Sequence, residues 1–290
     1  GWTDSHINRF VVPLFFGTLG ATILMNIDLI LLRLLFHSDQ LAGEYQAVIT
    51  LARIPVYLVS TISEAIFPYV SYHTVQNGNP YKLLDKALKL SSLLILPICL
   101  SFMLIPEIWL AIIFPNYLSI AWLIPILSGG YFALALTFTL VNGFQAINRP
   151  GIPALILSVI VIGDIVLVIV LGSLFGMAGV AYGTTISCLI GLLALLIIYR
   201  RICVHTADTR LNFQRSFYYA PRMVICVLVF VIATLYLPHS LELGIIANFV
   251  VLGINFGGSL VIYCFMLTLT SVIKAQEIEE LFASLPFKGP

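Results

Sequence analysis

Charge is scarce in this chain: Asp, Glu, Lys and Arg make up 9% of its 290 residues, against 60% hydrophobic. Soluble domains carry roughly 25% charged residues. A water-exposed globule is therefore excluded, and with no polar stretch longer than about twenty-five residues the chain has no room for one beside the membrane. The patterns of common catalytic machinery are missing too. There is no Gly-rich phosphate loop ending in Lys and Ser or Thr, no His and Glu at metal spacing, and no Gly-x-Ser-x-Gly elbow. His6, His37, His73, His205 and His239 stand apart from one another in loops or near helix ends. An ATPase and a zinc enzyme are excluded, and no cofactor is expected. Cys99, Cys188, Cys226 and Cys264 fall in apolar runs and Cys203 in a basic segment. No pair then faces an oxidising compartment, so disulfides are not expected. A net charge of +1 points to no nucleic-acid partner. The opening Gly1, Trp2, Thr3, Asp4 has neither an initiator Met nor a signal-peptide pattern, which reads as the interior of a longer protein.

What fills the chain is apolar runs long enough to cross a bilayer. Eight are expected: Phe10 to Leu32, Tyr45 to Val70, Leu84 to Ile105, Leu118 to Val141, Ile152 to Phe175, Gly179 to Tyr199, Met223 to Leu237 and Leu243 to Leu269. The fold class is all-α, a polytopic transmembrane bundle. Arg9, Lys82, Lys86, Lys89, Arg149, Arg200, Arg201, Arg210, Arg215, Arg222, Lys274 and Lys288 all fall on one side of it. The other side has only Arg33, and Arg53 lies inside a span. Basic loops stay in the cytoplasm, so both termini are expected there, in the cytoplasmic membrane. The expected divisions are a six-helix lobe over 1–199, a basic cytoplasmic loop over 200–222, two further spans over 223–269 and a tail over 270–290.

Outward loops are short, and the longest offers only Glu107 as a charged group. Inside, Asn77, Gly78, Asn79 and Pro80 make an elbow before Lys82, Lys86 and Lys89. The 200–222 segment mixes Arg with Phe213, Phe217, Tyr218 and Tyr219, which suits either simple anchoring or a segment lying on anionic membrane lipids. Pro13, Pro55, Pro68, Pro97, Pro125 and Pro153 punctuate the spans, and each permits a bend. Gly172, Gly176, Gly179 and Gly183 are spaced for close packing of the fifth and sixth spans through a tight outer turn.

Polar residues inside the spans are arranged rather than scattered. Gln46, Thr50, Arg53, Tyr57, Ser60 and Glu64 recur every three or four positions, on one helix face about 80° wide. A charge in hydrocarbon costs at least ~2.5 kcal/mol, so this stripe faces either protein, as a structural lock, or a hydrated cavity; its length favours the cavity. Asn26 joins Thr18 and Thr22 on the first span, and Asp28 lies at a depth that allows pairing with Arg53. Ser128, Tyr131, Ala135, Thr139 and Asn142 make a matching face on the fourth span, expected to be the opposite wall. Asp164 stands alone in the fifth span; with Asp28 it is a candidate for ion coupling, the alternative being a bond to a neighbouring hydroxyl.

The order of several of these residues resembles a known family. Asp28 with Leu31 and Leu32, then Gly43, Tyr45, Ala52, Arg53 and Pro55, then Phe67 and Pro68, are similar to the seventh and eighth helices of polysaccharide flippases in the multidrug, oligosaccharidyl-lipid and polysaccharide exporter superfamily. The Lys-rich elbow, Asn148, Arg149 and Pro150, and Gly176, Gly179, Ala181 and Tyr182 extend the resemblance over roughly two thirds of the chain. Phe114, Pro115, Asn116, Tyr117 departs from it, since the family more often has Phe-Gly before the Tyr. The resemblance implies two lobes around a central cavity, with this chain matching the second lobe plus two extra helices. The first lobe is then missing, its place taken in the full-length protein or by a second copy. It also implies that Arg53 contacts a diphosphate or an acidic sugar.

The expected function is a flippase for a polyprenyl-diphosphate-linked oligosaccharide in surface polysaccharide synthesis, working by alternating access without covalent chemistry. Its partners are that lipid-linked substrate and membrane lipids. Two alternatives stand beside it. One is a drug or small-molecule exporter of the same superfamily; the other is a membrane polysaccharide polymerase or ligase, which the short outer loops disfavour.

Overall fold

A computed structural model describes residues 4–75, 80–204, 209–237 and 245–270. The expected elbow residues Asn77, Gly78 and Asn79, the outer loop at Pro238 to Glu242, and Lys274 and Lys288 of the tail lie outside the described residues. Ten α-helices follow one another: α1 (Asp4–Phe36), α2 (Asp39–Ala52), α3 (Ile54–Val75), α4 (Pro80–Leu104), α5 (Pro106–Ile113), α6 (Leu123–Ala146), α7 (Gly151–Val204), α8 (Thr209–Tyr236), α9 (Ile245–Leu252) and α10 (Gly258–Leu269). Among the described residues five helices are long and apolar enough to cross a membrane, six if α2 and α3 form one bent crossing. Outward stripes such as Leu155, Val159, Ile162 and Val166 on α7 are exposed at helical spacing. An apolar surface of that extent is stable only against hydrocarbon, so the protein is integral to a membrane.

Four local features set the shape. At the α1–α2 turn His37 adopts φ 49°. The Ser38 hydroxyl accepts the Leu41 N–H, and Arg33 pairs with Asp39 at 2.8 Å across the turn. The run expected as one second span is two helices meeting at 43°. Pro55 has no N–H to offer Leu51, and its ring crowds that carbonyl, so α2 stops at Ala52 and Arg53 becomes its cap.

Further along, α6 starts at Leu123 rather than at the expected Leu118. The residues before it form α5 and a tight 3₁₀ turn over Pro115–Ile120, and Pro125 takes a first-turn position where its missing N–H costs nothing. Its far end closes with Asn148 at φ 60°: the Arg149 N–H donates to Phe144 O at 2.8 Å and the Asn148 N–H to Gln145 O at 3.0 Å, with Pro150 barring continuation.

The 54-residue α7 would reach about 80 Å if straight, far beyond a hydrocarbon core of about 30 Å. It turns back at Gly176 (φ 66°, ψ −144°), a conformation open to glycine, and its two halves pack together. A Cβ on Gly179 would strike the Leu171 carbonyl oxygen, and one on Gly183 would come within 2.9 Å of Val168 Cα.

The main core joins α1, α2, α3, α4, α6 and both halves of α7 around Leu32, Tyr45, Phe102, Tyr131 and Phe144. α8 and α10 build a separate small core from Cys226, Phe230, Tyr263 and Leu267, closed by Leu93 of α4. The segment expected as a loop over 200–222 is largely helical: α7 runs on to Val204, and α8 starts at Thr209, in a stretch with no glycine to stop it. Between α9 and α10 a π-helical turn over Gly253–Gly257 aims Asn255 at the end of α8, where its amide donates to Thr234 O (3.0 Å) and Leu237 O (3.3 Å). Asn255→Ala is expected to lower the thermal unfolding midpoint in detergent by the equivalent of roughly 1 kcal/mol, the scale of interhelical bonds in membranes. An unchanged midpoint would show that these two bonds do not hold the hairpin.

Candidate functional site

Polar residues of the stripe lie on both sides of the break at Arg53. α2 presents Gln46 and Thr50 and α3 presents Tyr57, Ser60 and Glu64, with Thr50, Tyr57 and Glu64 exposed. Thr18, Thr22 and Asn26 of α1 are exposed as well. Most of these groups donate to their own helix. Thr18 bonds Leu14 O, Thr22 bonds Thr18 O and the Asn26 amide bonds Thr22 O, each at 2.9 Å. Thr50 bonds Gln46 O at 2.8 Å, while Ser60 and Thr61 both bond Tyr57 O. Donors are thereby satisfied while lone pairs stay available to whatever lies over the face.

Arg53 sits beneath that surface, 6% exposed. Its Nε–H donates to the Tyr131 hydroxyl at 3.1 Å, its Nη1 donates to Asn26 Oδ1 at 3.4 Å, and its Nη2 lies 3.7 Å from Asp28 Oδ1. Tyr131 donates in turn to Asp28 Oδ2 at 3.5 Å, and Asp28 Oδ1 accepts the Leu29 N–H at 2.9 Å. Asp28 and Tyr131 are fully enclosed. The pairing of Asp28 with Arg53 expected from depth is thus present, reinforced by a phenol on a third helix. Pairing offsets part of the cost of holding two charges away from water.

The other expected residues divide by burial. Ser128 is enclosed and bonds Ile124 O at 2.7 Å, so it lines no open surface. Thr139 is also buried, in a hydroxyl chain from Ser63 (3.2 Å) to Ser91 (3.4 Å) that ties α3, α6 and α4 together. Asn142 is half-buried near the end of α6. Asp164 is enclosed on α7: the Ser187 hydroxyl faces it from the returning half without closing a hydrogen bond, and Asp28 is near enough to interact electrostatically. The Tyr45 hydroxyl lies in the same electrostatic neighbourhood. Nothing in the local sequence singles out Ser63, Ser91 or Ser187. The nearest signal is Thr184 and Ser187, three apart on one helical face. Among the described residues no group of three or more His, Cys, Asp or Glu is placed to hold a metal ion.

The chain is similar to a solved structure described as the lipid II flippase MurJ in an inward closed conformation, with 16% identity and a TM-score of 0.66 over 93% of this chain. That identity supports a shared fold. This chain spans 56% of that protein's length. No curated protein sequence matches it. A family profile described as "Lipid II flippase MurJ" matches residues 1–256, most of the chain, and the chain therefore belongs to the lipid II flippase MurJ family.

Proposed function

We propose that this chain forms one lobe of a flippase that carries a polyprenyl-diphosphate-linked saccharide across the cytoplasmic membrane. Family membership supports a lipid-linked substrate. The observation that carries the reading is the guanidinium of Arg53 beneath Asn26, with exposed polar side chains on α1, α2 and α3. A planar cation whose outer edge is held only by the long bond to Asn26 matches the oxygens of a diphosphate, while hydroxyl and amide lone pairs suit the hydroxyls of a sugar. The facing wall would come from a second lobe, and rocking of the two lobes would open the cavity to each side in turn. The excess of basic residues in alternate loops supports eight crossings with both termini in the cytoplasm.

An ion-coupling role for Asp28 and Asp164 belongs to the same proposal. Its support is that both carboxylates are buried and that Asp164 faces no basic side chain, only the Ser187 hydroxyl from the returning half of α7. A buried carboxylate without a basic partner is costly in a low dielectric, and a cation bound at Asp164 would offset that cost.

The test is flipping of a labelled polyprenyl-diphosphate-linked saccharide by the full-length protein in vesicles. Arg53→Lys keeps the charge and loses the fork. Flipping is expected to fall about tenfold or more at unchanged membrane abundance. Full activity of this variant, or loss of activity in step with abundance, would remove the support for a diphosphate contact.

A further inference from the structure

We propose that Tyr131 is the positioning residue for Arg53: it holds the Nε edge of the guanidinium within the protein so that the opposite edge is offered to the diphosphate. The proposal rests on the reading of the polar face given above. A guanidinium has two edges able to grip a phosphate or carboxylate, one between Nε and Nη2 and one between Nη1 and Nη2. Here the first is occupied. Nε bonds the Tyr131 hydroxyl and Nη2 faces Asp28, which the same hydroxyl also contacts. The second meets only Asn26, an exposed side chain on a long 3.4 Å bond that covers it, and Nη2, buried behind, has no hydrogen-bond partner. An incoming phosphate oxygen displaces the Asn26 carbonyl and finds two parallel N–H groups behind it.

The backbone explains why an anchor is needed. Arg53 caps α2 at the bend, with Val56 and Tyr57 of α3 donating to its carbonyl, so its Cα lies at the point where the two helices change direction. A long side chain rooted there sweeps through an arc whenever the bend angle changes. Tyr131 belongs to neither arm. It stands on α6 beside Gly130, where a Cβ would come within 2.8 Å of Thr185 Cα, and Thr185 donates across to Ile126 O at 2.9 Å. That contact pins α6 to the second half of α7, and the phenol inherits its fixed place. The position of the guanidinium is thereby set by the rigid pair α6 and α7 rather than by the hinge.

Binding of farnesyl diphosphate to the full-length protein in nanodiscs tests the idea, with unfolding midpoints recorded for every variant. Tyr131→Phe keeps the ring and loses the acceptor, whereas Tyr131→Gln loses the ring and keeps an acceptor oxygen. The expected order of affinity is wild type, then Gln, then Phe, with Phe weakened about tenfold. Combining Tyr131→Phe with Arg53→Lys is expected to weaken binding no more than Arg53→Lys alone, because Tyr131 acts through the guanidinium. Phe binding better than Gln, or additive losses in the double variant, would make Tyr131 a packing residue and overturn the proposal. If Arg53→Lys itself leaves farnesyl diphosphate binding unchanged, the diphosphate reading of the face fails, and this proposal fails with it.

Discussion

Gly179→Ala is expected to prevent the lobe from folding. The added methyl would lie on the Leu171 carbonyl oxygen, a backbone atom near the end of the first half of α7 that no side-chain rotation can move aside. Overpacking in a core usually costs about 1–3 kcal/mol, but here the obstacle is backbone on both sides of a tight turn, and a loss above about 4 kcal/mol is expected. Gly163→Ala supplies the control, since nothing lies within 4 Å of its Cβ position and alanine is the better helix former. In detergent the first variant should give little monodisperse protein, and the second should melt at or slightly above the wild-type midpoint. A Gly179→Ala protein melting with wild type would mean that the close approach of the two halves is dispensable.

Asp28→Leu is expected to be the most damaging change at the site. It leaves the Arg53 guanidinium 6% exposed with no anion, and removing one partner of a buried pair costs about 3 kcal/mol or more. Asp28→Leu combined with Arg53→Leu takes both charges out of the interior, and most of the lost stability should return. Flipping should not return with it, because the group proposed to meet the diphosphate is gone. Recovery of both properties would assign the pair to folding alone. If the double variant is as unstable as Asp28→Leu, the damage comes from lost packing around α1 and not from an orphaned charge.

Apolar runs of bilayer length are plain in the sequence, and the depth of Asp28 and Arg53 on antiparallel spans is enough to foresee their pairing. The helix break at Arg53 is allowed for by Pro55, but the spacing of the polar stripe does not reveal it. Its backbone stays near helical values (φ −81°, ψ −11°), and Val56 and Tyr57 still bond back to its carbonyl. The three-four spacing of the stripe therefore runs through the bend unchanged, and periodicity is blind to one missing N–H. On α6 the spacing locates a polar face correctly but not what covers it, so Ser128 and Thr139, expected on a cavity wall, lie between helices instead. The nearness of Ser187 to Asp164 depends on where α7 turns back, which the local pattern around either residue does not encode. The resemblance points to polysaccharide flippases, and the family that matches is the lipid II flippase branch of that superfamily.

The self-bonded hydroxyls of the polar face have a consequence for turnover. On the proposed function the face takes up and releases a large amphiphile, so it is wetted and dried in every cycle, and a donor that relies on water for its partner is stranded each time the water leaves. Thr18, Thr22, Thr50, Ser60 and Thr61 each donate to a carbonyl of their own helix rather than to water, so drying strips away none of these hydrogen bonds. Filling and emptying such a lining leaves little hysteresis, and dehydration of the ligand itself becomes the greater cost of each cycle.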